Sequence, residues 1–460
     1  MTEQPLSFLE NDKENAVARL CDLLSIPSVS TDPAYEEHIQ AGAQWTRQAL
    51  IDVGLDAEIH ATAGHPCVIA NTNDEDVMNT DAPRVMFYGH YDVQPPDPLE
   101  LWTTPAFEPT IRDGAIYARG ASDDKGQVCC FIEALRSWKE THGKFPCRIV
   151  VLIEGEEEVG SPNLQPFIAE NKDLFPADIV LVSDTHMWDR ETVTITYGLR
   201  GLLYFDVQLH GPSRDLHSGI YGGILANPAT LLTRIIGRLQ DDQNRVTIPG
   251  FYDDVAELTE DERARWEALN FDEFGDCLTA VGVDTTWGEE GFTTLERKWA
   301  RPSCDVNGIY GGYMGEGAKT VIPTFAGAKV SFRLPPRQDP RKIARAFEAW
   351  LRSFDVGGCR WKITNHGMAD PVMVSDDSPF IAAAQRAIEQ ASGKAPNLVR
   401  EGATIPVVAD FKQALGLNSL LIGFGLTDDC IHSPNEKFEL NNFELGCRTH
   451  AILLAELAKC

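Results

Sequence analysis

The sequence has 460 residues, 43% of them hydrophobic and 24% charged, which is an ordinary composition for a folded protein. A single hydrophobic core stops growing at roughly 250–300 residues, so a chain of this length predicts two domains. With 40 basic against 69 acidic residues the formal net charge is −29, which disfavours nucleic acid and anionic membranes as partners.

The beginning of the chain and its cysteines favour a cytoplasmic protein. No basic segment followed by an apolar one is present, so we expect no signal peptide. No window approaches the roughly 18 apolar residues of a membrane span. The eleven cysteines form no Cys-x-x-Cys pair, and we expect them to be reduced thiols that bind no structural zinc.

In the first part of the chain, apolar strands alternate with helical patterns. Residues 12–26 predict an amphipathic helix, and residues 126–140 predict another. Strands are predicted at 67–71, 85–88, 149–153 and 179–182. The alternation predicts an α/β fold whose sheet is mostly parallel and flanked by helices.

The pattern changes after about residue 192. Residues 203–209 and 328–334 alternate apolar and polar side chains, which predicts antiparallel strands with one wet face. Two predicted helices accompany these strands, at 227–239 and 340–354, and after Pro371 the chain returns to a long predicted helix at 378–391. We therefore expect an α+β domain, residues 198–372, inserted into a catalytic domain formed by residues 1–197 and 373–460.

Five polar motifs stand at or just after predicted strand ends, where open α/β sheets bind ligands. They are residues 89–92, 119–126, 154–161, 183–184 and 431–436. Taken alone, each has a simpler explanation, such as a helix cap or a solvated loop. The acidic run after strand 149–153 fits that explanation least well, because carboxylates crowded at a buried strand end need compensating cations.

Together these motifs offer two histidines and at least three carboxylates. Asp92 lies two residues after His90 in an extended segment, so it can reach the second ring nitrogen of His90 and fix its tautomer. Histidine with carboxylate suits zinc, manganese or cobalt. Two ions about 3.5–4 Å apart could share one carboxylate.

Four of these segments, residues 89–95, 120–126, 154–161 and 432–436, resemble the carnosinase branch of the dinuclear metallopeptidases. Residues 195–201, 215–219 and 315–323 add to the likeness, which covers nearly the whole chain. The superfamily also contains glutamate carboxypeptidase, aminoacylase and succinyl-diaminopimelate desuccinylase. The resemblance implies that the inserted domain is a lid and dimerisation domain and that the protein is a homodimer.

The resemblance also implies two divalent ions per subunit, with zinc expected and manganese or cobalt as alternatives. Asp123 would bridge both ions, and the Asp123–Asp124 peptide bond would be cis. His90 and Asp184 would complete one metal site, and Glu158 and His432 the other.

Further roles follow from the same resemblance. Glu157 would be the general base, and Asp92 would orient His90. His217 would reach the active site of the partner subunit and help to hold the oxyanion. The substrate-binding positions would be Thr320, Arg333 and Thr404. Independently, Arg333 falls on the wet face of its predicted strand.

Three functions remain open at this stage. The first is a dipeptidase of broad or carnosine-like preference. The second is an N-acyl amino acid deacylase or a carboxypeptidase, and the third is a metal-binding homologue without catalysis. Ala403 and Thr404 stand where relatives often have glycine and serine, and the added methyl groups could narrow the carboxylate pocket and change substrate preference.

Overall fold

The structure is a computed structural model that describes residues 1–460, apart from the placement of residues 276, 277 and 280. The helices are α1 (Glu3–Leu24), α2 (Glu36–Asp52), α3 (Lys125–His142), α4 (Leu164–Glu170), α5 (Ser218–Tyr221), α6 (Pro228–Ile236), α7 (Glu260–Glu267), α8 (Thr294–Trp299), α9 (Pro340–Arg352), α10 (Pro379–Ser392), α11 (Pro406–Leu415) and α12 (Leu440–Leu457). The strands are β1 (Asp56–His60), β2 (Cys67–Asn71), β3 (Val85–His90), β4 (Thr110–Arg112), β5 (Ala115–Tyr117), β6 (Ile149–Glu154), β7 (Ile179–Val182), β8 (Thr194–Leu199), β9 (Gly201–His210), β10 (Leu216–His217), β11 (Ser303–Gly311), β12 (Val321–Ile322), β13 (Phe325–Leu334), β14 (Arg360–Ala369), β15 (Val372–Met373), β16 (Asn397–Glu401), β17 (Ser419–Leu421) and β18 (Lys437–Glu439).

The chain forms two compact units. Unit 1 contains Met1–Tyr197, Val374–Val399 and Pro406–Cys460. Unit 2 contains Gly198–Met373 and Arg400–Ile405. None of the helices in the described part of the chain has the length and apolar character needed to cross a bilayer.

The large sheet of unit 1 has the strand order β1-β2-β6-β3-β7-β17-β8. The four central strands β6, β3, β7 and β17 are parallel, and the strands outside them pair antiparallel. The predicted α/β class is confirmed, with the parallel pairing concentrated at the centre of the sheet. Because β3, β6 and β7 run in the same direction, their carboxyl ends meet at one edge, as predicted for the polar motifs.

Helix α3 covers the central strands and is almost wholly buried. Its Phe131 ring stacks on Phe87 of β3, with ring centroids 4.0 Å apart. Trp138, near the other end of the helix, donates a hydrogen bond to the carbonyl of Ala451 in α12. These contacts fix α3 so that its first turn begins at Lys125, within the polar motif at residues 119–126.

Helix α1 begins at Glu3, nine residues before the predicted start. The additional turns belong to the helix because Pro5 and Leu9 are buried and extend its apolar stripe. The strands predicted at 67–71 and 179–182 have the predicted bounds, and the other two predicted strands of this unit are extended by one or two residues.

A small sheet of unit 1 joins two segments that are distant in sequence. Strand β18 pairs antiparallel with β5, which pairs with β4. Beyond this ladder the N–H of Ala118 donates to the carbonyl of Glu436 at 3.1 Å. The motif at 431–436 therefore lies beside the motif at 119–126.

Unit 2 contains an antiparallel sheet of order β11-β13-β9-β14. Buried residues of β9 and β13, such as Phe205 and Phe332, pack with α6 and α9 into a separate hydrophobic core. Most of the alternate residues of these strands are only half-buried, and Lys329 is exposed. Arg333 belongs to the half-buried set, as its position in the alternation predicts.

Candidate active site

His90 is the last residue of β3 and is fully buried. Its Nδ1 lies 3.4 Å from Oδ1 of Asp92 and 3.0 Å from the Asp92 carbonyl oxygen. Nε2 therefore points away from Asp92, and it lies 3.1 Å from Oδ1 of Asp123. Glycine is needed before this histidine, because a Cβ on Gly89 would lie 2.5 Å from Cγ2 of Val128 in α3.

Asp123 ends the loop that opens α3. The loop is tight, since a Cβ on Gly126 would lie 2.0 Å from the carbonyl oxygen of Ala121. The Asp123–Asp124 peptide bond is cis, as predicted. The two carboxylate oxygens of Asp123 face different histidines: Oδ1 lies near His90, and Oδ2 lies 3.0 Å from Nε2 of His432.

Glu157 and Glu158 lie in a short turn after β6. Their backbone N–H groups donate to the two carboxylate oxygens of Asp92, at 3.2 and 3.1 Å. The side chain of Glu158 points to His432, with Oε2 3.2 Å from Nε2. Asp92 thus orders the acidic turn as well as His90, a role that spacing did not predict.

Asp184 follows β7, and His432 lies in the loop before β18. His432 has a positive φ of 57°, in the left-handed region that few side chains adopt. Two groups of potential ligand atoms result, in each of which all atoms lie within 4.8 Å of one another. One is His90, Asp123 and Asp184, and the other is Asp123, Glu158 and His432.

The charges of this cluster are poorly balanced without a cation. Burial, with Asp184 and Glu158 nearby, raises the pKa of Glu157 to about 8. Burial and the nearby Asp123 raise the pKa of Asp184 to about 7. Hydrogen bonds to Asp123 and Glu158 raise the pKa of His432 to about 10. Buried carboxylates crowded in this way favour the binding of cations.

The cluster fits two divalent cations. Imidazole nitrogens and carboxylate oxygens are the donors that zinc, manganese and cobalt accept. Each triad offers one histidine and two carboxylates, and Asp123 offers one oxygen to each triad. A cation in each triad would relieve the repulsion among the carboxylates.

Two further side chains support the ligands, and sequence reasoning gave neither of them a role. Gln94 donates from Nε2 to Oε2 of Glu158 at 2.8 Å, and its backbone N–H donates to Oε1 at 3.1 Å. The carboxylate of Glu436 accepts the backbone N–H of Asp123 at 3.1 Å. Gln94 lies in the motif at residues 89–95 and Glu436 in the motif at residues 431–436, so the motifs could have indicated that both residues belong to the site.

The other predicted site residues lie in unit 2, where they form two pairs. His217 and Thr320 are neighbours: β10 pairs with β12, and the N–H of Ser218 donates to the carbonyl of Thr320 at 3.1 Å. Nδ1 of His217 accepts the N–H of Gly219 at 3.0 Å. In the neutral ring, Nε2 then carries the hydrogen and can donate a hydrogen bond.

Arg333 and Thr404 form the second pair. Nη1 of Arg333 donates to Oγ1 of Thr404 at 2.8 Å, and that hydroxyl donates to the carbonyl of Arg200 at 2.6 Å. The Arg200 guanidinium also donates from Nε to the carbonyl of Gly402 at 2.9 Å. Burial, with Arg333 nearby, lowers the pKa of Arg200 to about 10. Arg200 thus shapes the turn that presents Thr404, a role that was not predicted although residues 195–201 carry part of the resemblance.

The family model described as peptidase family M20/M25/M40 matches residues 86–456. The chain belongs to this family. It is therefore a metallopeptidase, a hydrolase that acts on peptide bonds and binds divalent metal ions. The predicted resemblance to the carnosinase branch is confirmed by the relatives described next.

The M20 relatives include named dipeptidases. The Cys-Gly metallodipeptidase dug1 of Schizosaccharomyces pombe is 33% identical and matches 98% of this chain and 97% of its own length. The Beta-Ala-His dipeptidase of Homo sapiens is 32% identical and matches 86% of this chain and 78% of its own length.

Solved M20 structures cover the whole fold. Human carnosine dipeptidase 1 gives a TM-score of 0.79 at 28% identity, over 100% of this chain and 99% of that chain. The M20 metallo-carboxypeptidase Sso-CP2 of Sulfolobus solfataricus gives 0.84 at 31% identity, over 97% of this chain and 99% of that one.

Proposed function

We propose that this protein is a dipeptidase that hydrolyses the amide bond of dipeptides, or of similar short substrates with a free carboxylate. The observation that carries the proposal is the pair of ligand groups that share Asp123. The Cys-Gly and Beta-Ala-His dipeptidases, similar over most of their length, support the substrate class.

Two divalent ions per subunit would be held by five side chains, with Asp123 common to both. His90 and Asp184 would complete one site, and Glu158 and His432 the other. Zinc is the expected metal, and manganese and cobalt fit the same donors. When bound, the ions lower the pKa of water and polarise the scissile carbonyl.

Glu157 would act as the general base and then as the general acid. Its carboxylate would accept a proton from the attacking water and deliver it to the leaving amine. Its neighbour Glu158 points to His432, so two consecutive residues of the turn would have different roles, one as proton acceptor and one as metal ligand. Asp92 would hold both this turn and His90 in place.

His217 would stabilise the oxyanion in the active site of the partner subunit of a homodimer. The hydrogen bond from Gly219 to Nδ1 supports this role, because it leaves Nε2–H free to donate. Mixing His217→Ala subunits with Glu157→Gln subunits should then restore part of the lost activity. Absence of any rescue in a verified mixed dimer would contradict the shared site.

Arg333, Thr404 and Thr320 would bind the substrate. The guanidinium of Arg333 can make a two-pronged contact with a terminal carboxylate. The hydroxyl of Thr404 already accepts a hydrogen bond from Arg333, which supports a joint role for the two side chains.

A carboxypeptidase is the second candidate, supported by the similarity to Sso-CP2 over nearly the whole of both chains. An N-acyl amino acid deacylase would use the same chemistry on another acyl group. A homologue without catalysis is disfavoured, because the candidate base, its orienting aspartate and all five ligand positions are present.

We also propose that the protein works in the cytoplasm. The support is that the ten cysteines whose side chains the structure describes are free thiols and that seven of them are buried. Such thiols persist in a reducing compartment.

A substrate panel tests the proposal. Metal-free protein is reconstituted with zinc, manganese or cobalt and assayed on dipeptides, longer peptides and acetylated amino acids. We expect metal-dependent hydrolysis of dipeptides above the other classes. Preference for longer peptides cut at the carboxyl end would favour the carboxypeptidase, and activity confined to acetylated amino acids would favour the deacylase.

A further inference from the structure

A buried ion pair lies beside the candidate metal centre, although neither residue belongs to the predicted ligand set. Nη1 of Arg119 donates to Oε2 of Glu436 at 2.7 Å. The side chains of Arg119 and Glu436 are only 1% and 0% exposed. Burying two charges is costly, so such a pair persists only where further hydrogen bonds satisfy it.

Glu436 receives those additional bonds from the loop that carries Asp123. Its Oε2 accepts the backbone N–H of Gly120 at 2.9 Å. Its Oε1 accepts the N–H groups of Ser122 at 2.9 Å and of Asp123 at 3.1 Å. One carboxylate thus fixes three peptide groups of the loop that ends in the shared ligand.

Arg119 connects the same pair to the His90 segment. Its Nη2 donates to the carbonyl of Pro95 at 3.2 Å, in the segment that follows His90 and Asp92. Glu436 itself lies four residues after His432, in the loop that leads into β18. The ion pair therefore joins the three segments that carry His90, Asp123 and His432.

We propose that Arg119 and Glu436 are positioning residues that set the affinity of the centre for its metal ions. They do so by holding the Asp123 segment against the segments of the two histidines. The inference rests on the proposed two-metal function. Partners that orient ligands from outside the coordination sphere commonly change metal affinity by about 10–100-fold when replaced.

The variant Glu436→Gln tests this role with little change of shape. The amide NH₂ of the glutamine would face a backbone N–H donor, so at least one hydrogen bond between residue 436 and the loop of Asp123 would be lost. The negative charge that Glu436 places beside that loop would be lost as well. We expect zinc affinity, measured by competition with a fluorescent chelator, to fall by about 10–100-fold. This readout does not depend on catalysis.

Glu133→Gln is the matched control. Glu133 is a buried carboxylate of unit 1 that accepts from Nε of Arg19 at 2.7 Å and from Nε of Arg136 at 3.2 Å, and both arginines lie outside the predicted ligand segments. We expect it to lower the free energy of unfolding of the metal-free protein and to leave zinc affinity unchanged.

The proposal is overturned if Glu436→Gln binds zinc as the wild type does, whatever its stability. Should Glu436→Gln not fold, Arg119→Lys is measured instead, because it keeps the charge but loses the fork that reaches both Glu436 and Pro95. Wild-type zinc affinity in Arg119→Lys would then overturn the proposal. Failure of the dipeptidase proposal would appear separately, as a wild-type protein that binds zinc and hydrolyses no dipeptide.

Discussion

Asp92 accepts a hydrogen bond from the backbone N–H of Glu157, with 3.2 Å between N and Oδ1. Its second oxygen accepts the N–H of Glu158, and Nδ1 of His90 lies 3.4 Å from Oδ1. A single, fully buried carboxylate therefore aligns a candidate base and one candidate ligand of each metal ion. Changes at Asp92 should affect metal binding and turnover together.

Asp92→Asn tests this link. An asparagine amide cannot accept at both ends, so one N–H of the acidic turn would lose its partner. We expect zinc affinity to fall by about 10–100-fold, and turnover at saturating zinc to fall as well. Chelator competition and steady-state kinetics measure the two effects. Wild-type zinc affinity with reduced turnover would mean that Asp92 orients the base Glu157 and does not influence the metal ligands.

Glu157→Gln separates proton transfer from metal binding. Gln cannot accept the proton, and general-base catalysis typically contributes 10²–10⁴-fold, so kcat should fall by about that factor. Elemental analysis should still find two metal ions per chain. Turnover within a few-fold of the wild type would exclude Glu157 as the base.

Arg333→Ala tests recognition of the terminal carboxylate. Loss of a charged hydrogen bond costs about 1.5–3 kcal/mol, so kcat/KM for free dipeptides should fall by about 10–150-fold. The same dipeptides with an amidated carboxyl end provide the control, because they lack the charge that Arg333 would bind. Equal losses on both substrates would show that Arg333 acts on the fold of unit 2.

The sequence predicted β2, β3, β6 and β7 from their apolar runs and β9 and β13 from their alternation. It did not predict the long strands β11 and β14, which bury few side chains and therefore show no apolar pattern. The three-residue strands β4, β5 and β18 were not predicted, because they are too short to show a pattern and β18 pairs with β5 from a distant part of the chain. Gln94 and Arg200 also lie in segments that carry the resemblance, but their roles depend on contacts with segments far away in the chain. Such contacts leave no periodic signal in the sequence.

His450 gives unit 1 a predicted sensitivity to acid. It is fully buried near Phe87, Phe131 and Phe424, and its Nε2 lies 3.2 Å from Oγ of Ser183. Burial lowers the pKa of His450 from 6.5 to about 3. The unfolded chain binds this proton below about pH 6.5 and the folded chain only near pH 3. His450 therefore costs no stability above pH 6.5 but destabilises the fold as the pH falls.

Proton binding by His450 in the unfolded chain should lower the free energy of unfolding by about 1.4 kcal/mol for each pH unit as the pH falls from about 6.5 toward 3. Urea titrations of metal-free wild type and His450→Gln, at several pH values, measure the difference. The variant should lack this component of the slope. Parallel curves for the two proteins would contradict the prediction.

The most direct test of the two-metal centre is a zinc titration of the metal-free protein that follows bound metal and dipeptide hydrolysis together. We predict that two equivalents of zinc bind per chain and that Asp123→Asn weakens the binding of both, because each ligand group uses one Asp123 oxygen. A wild-type chain that reaches full activity with one equivalent, or an Asp123→Asn variant that still binds both tightly, would contradict the account.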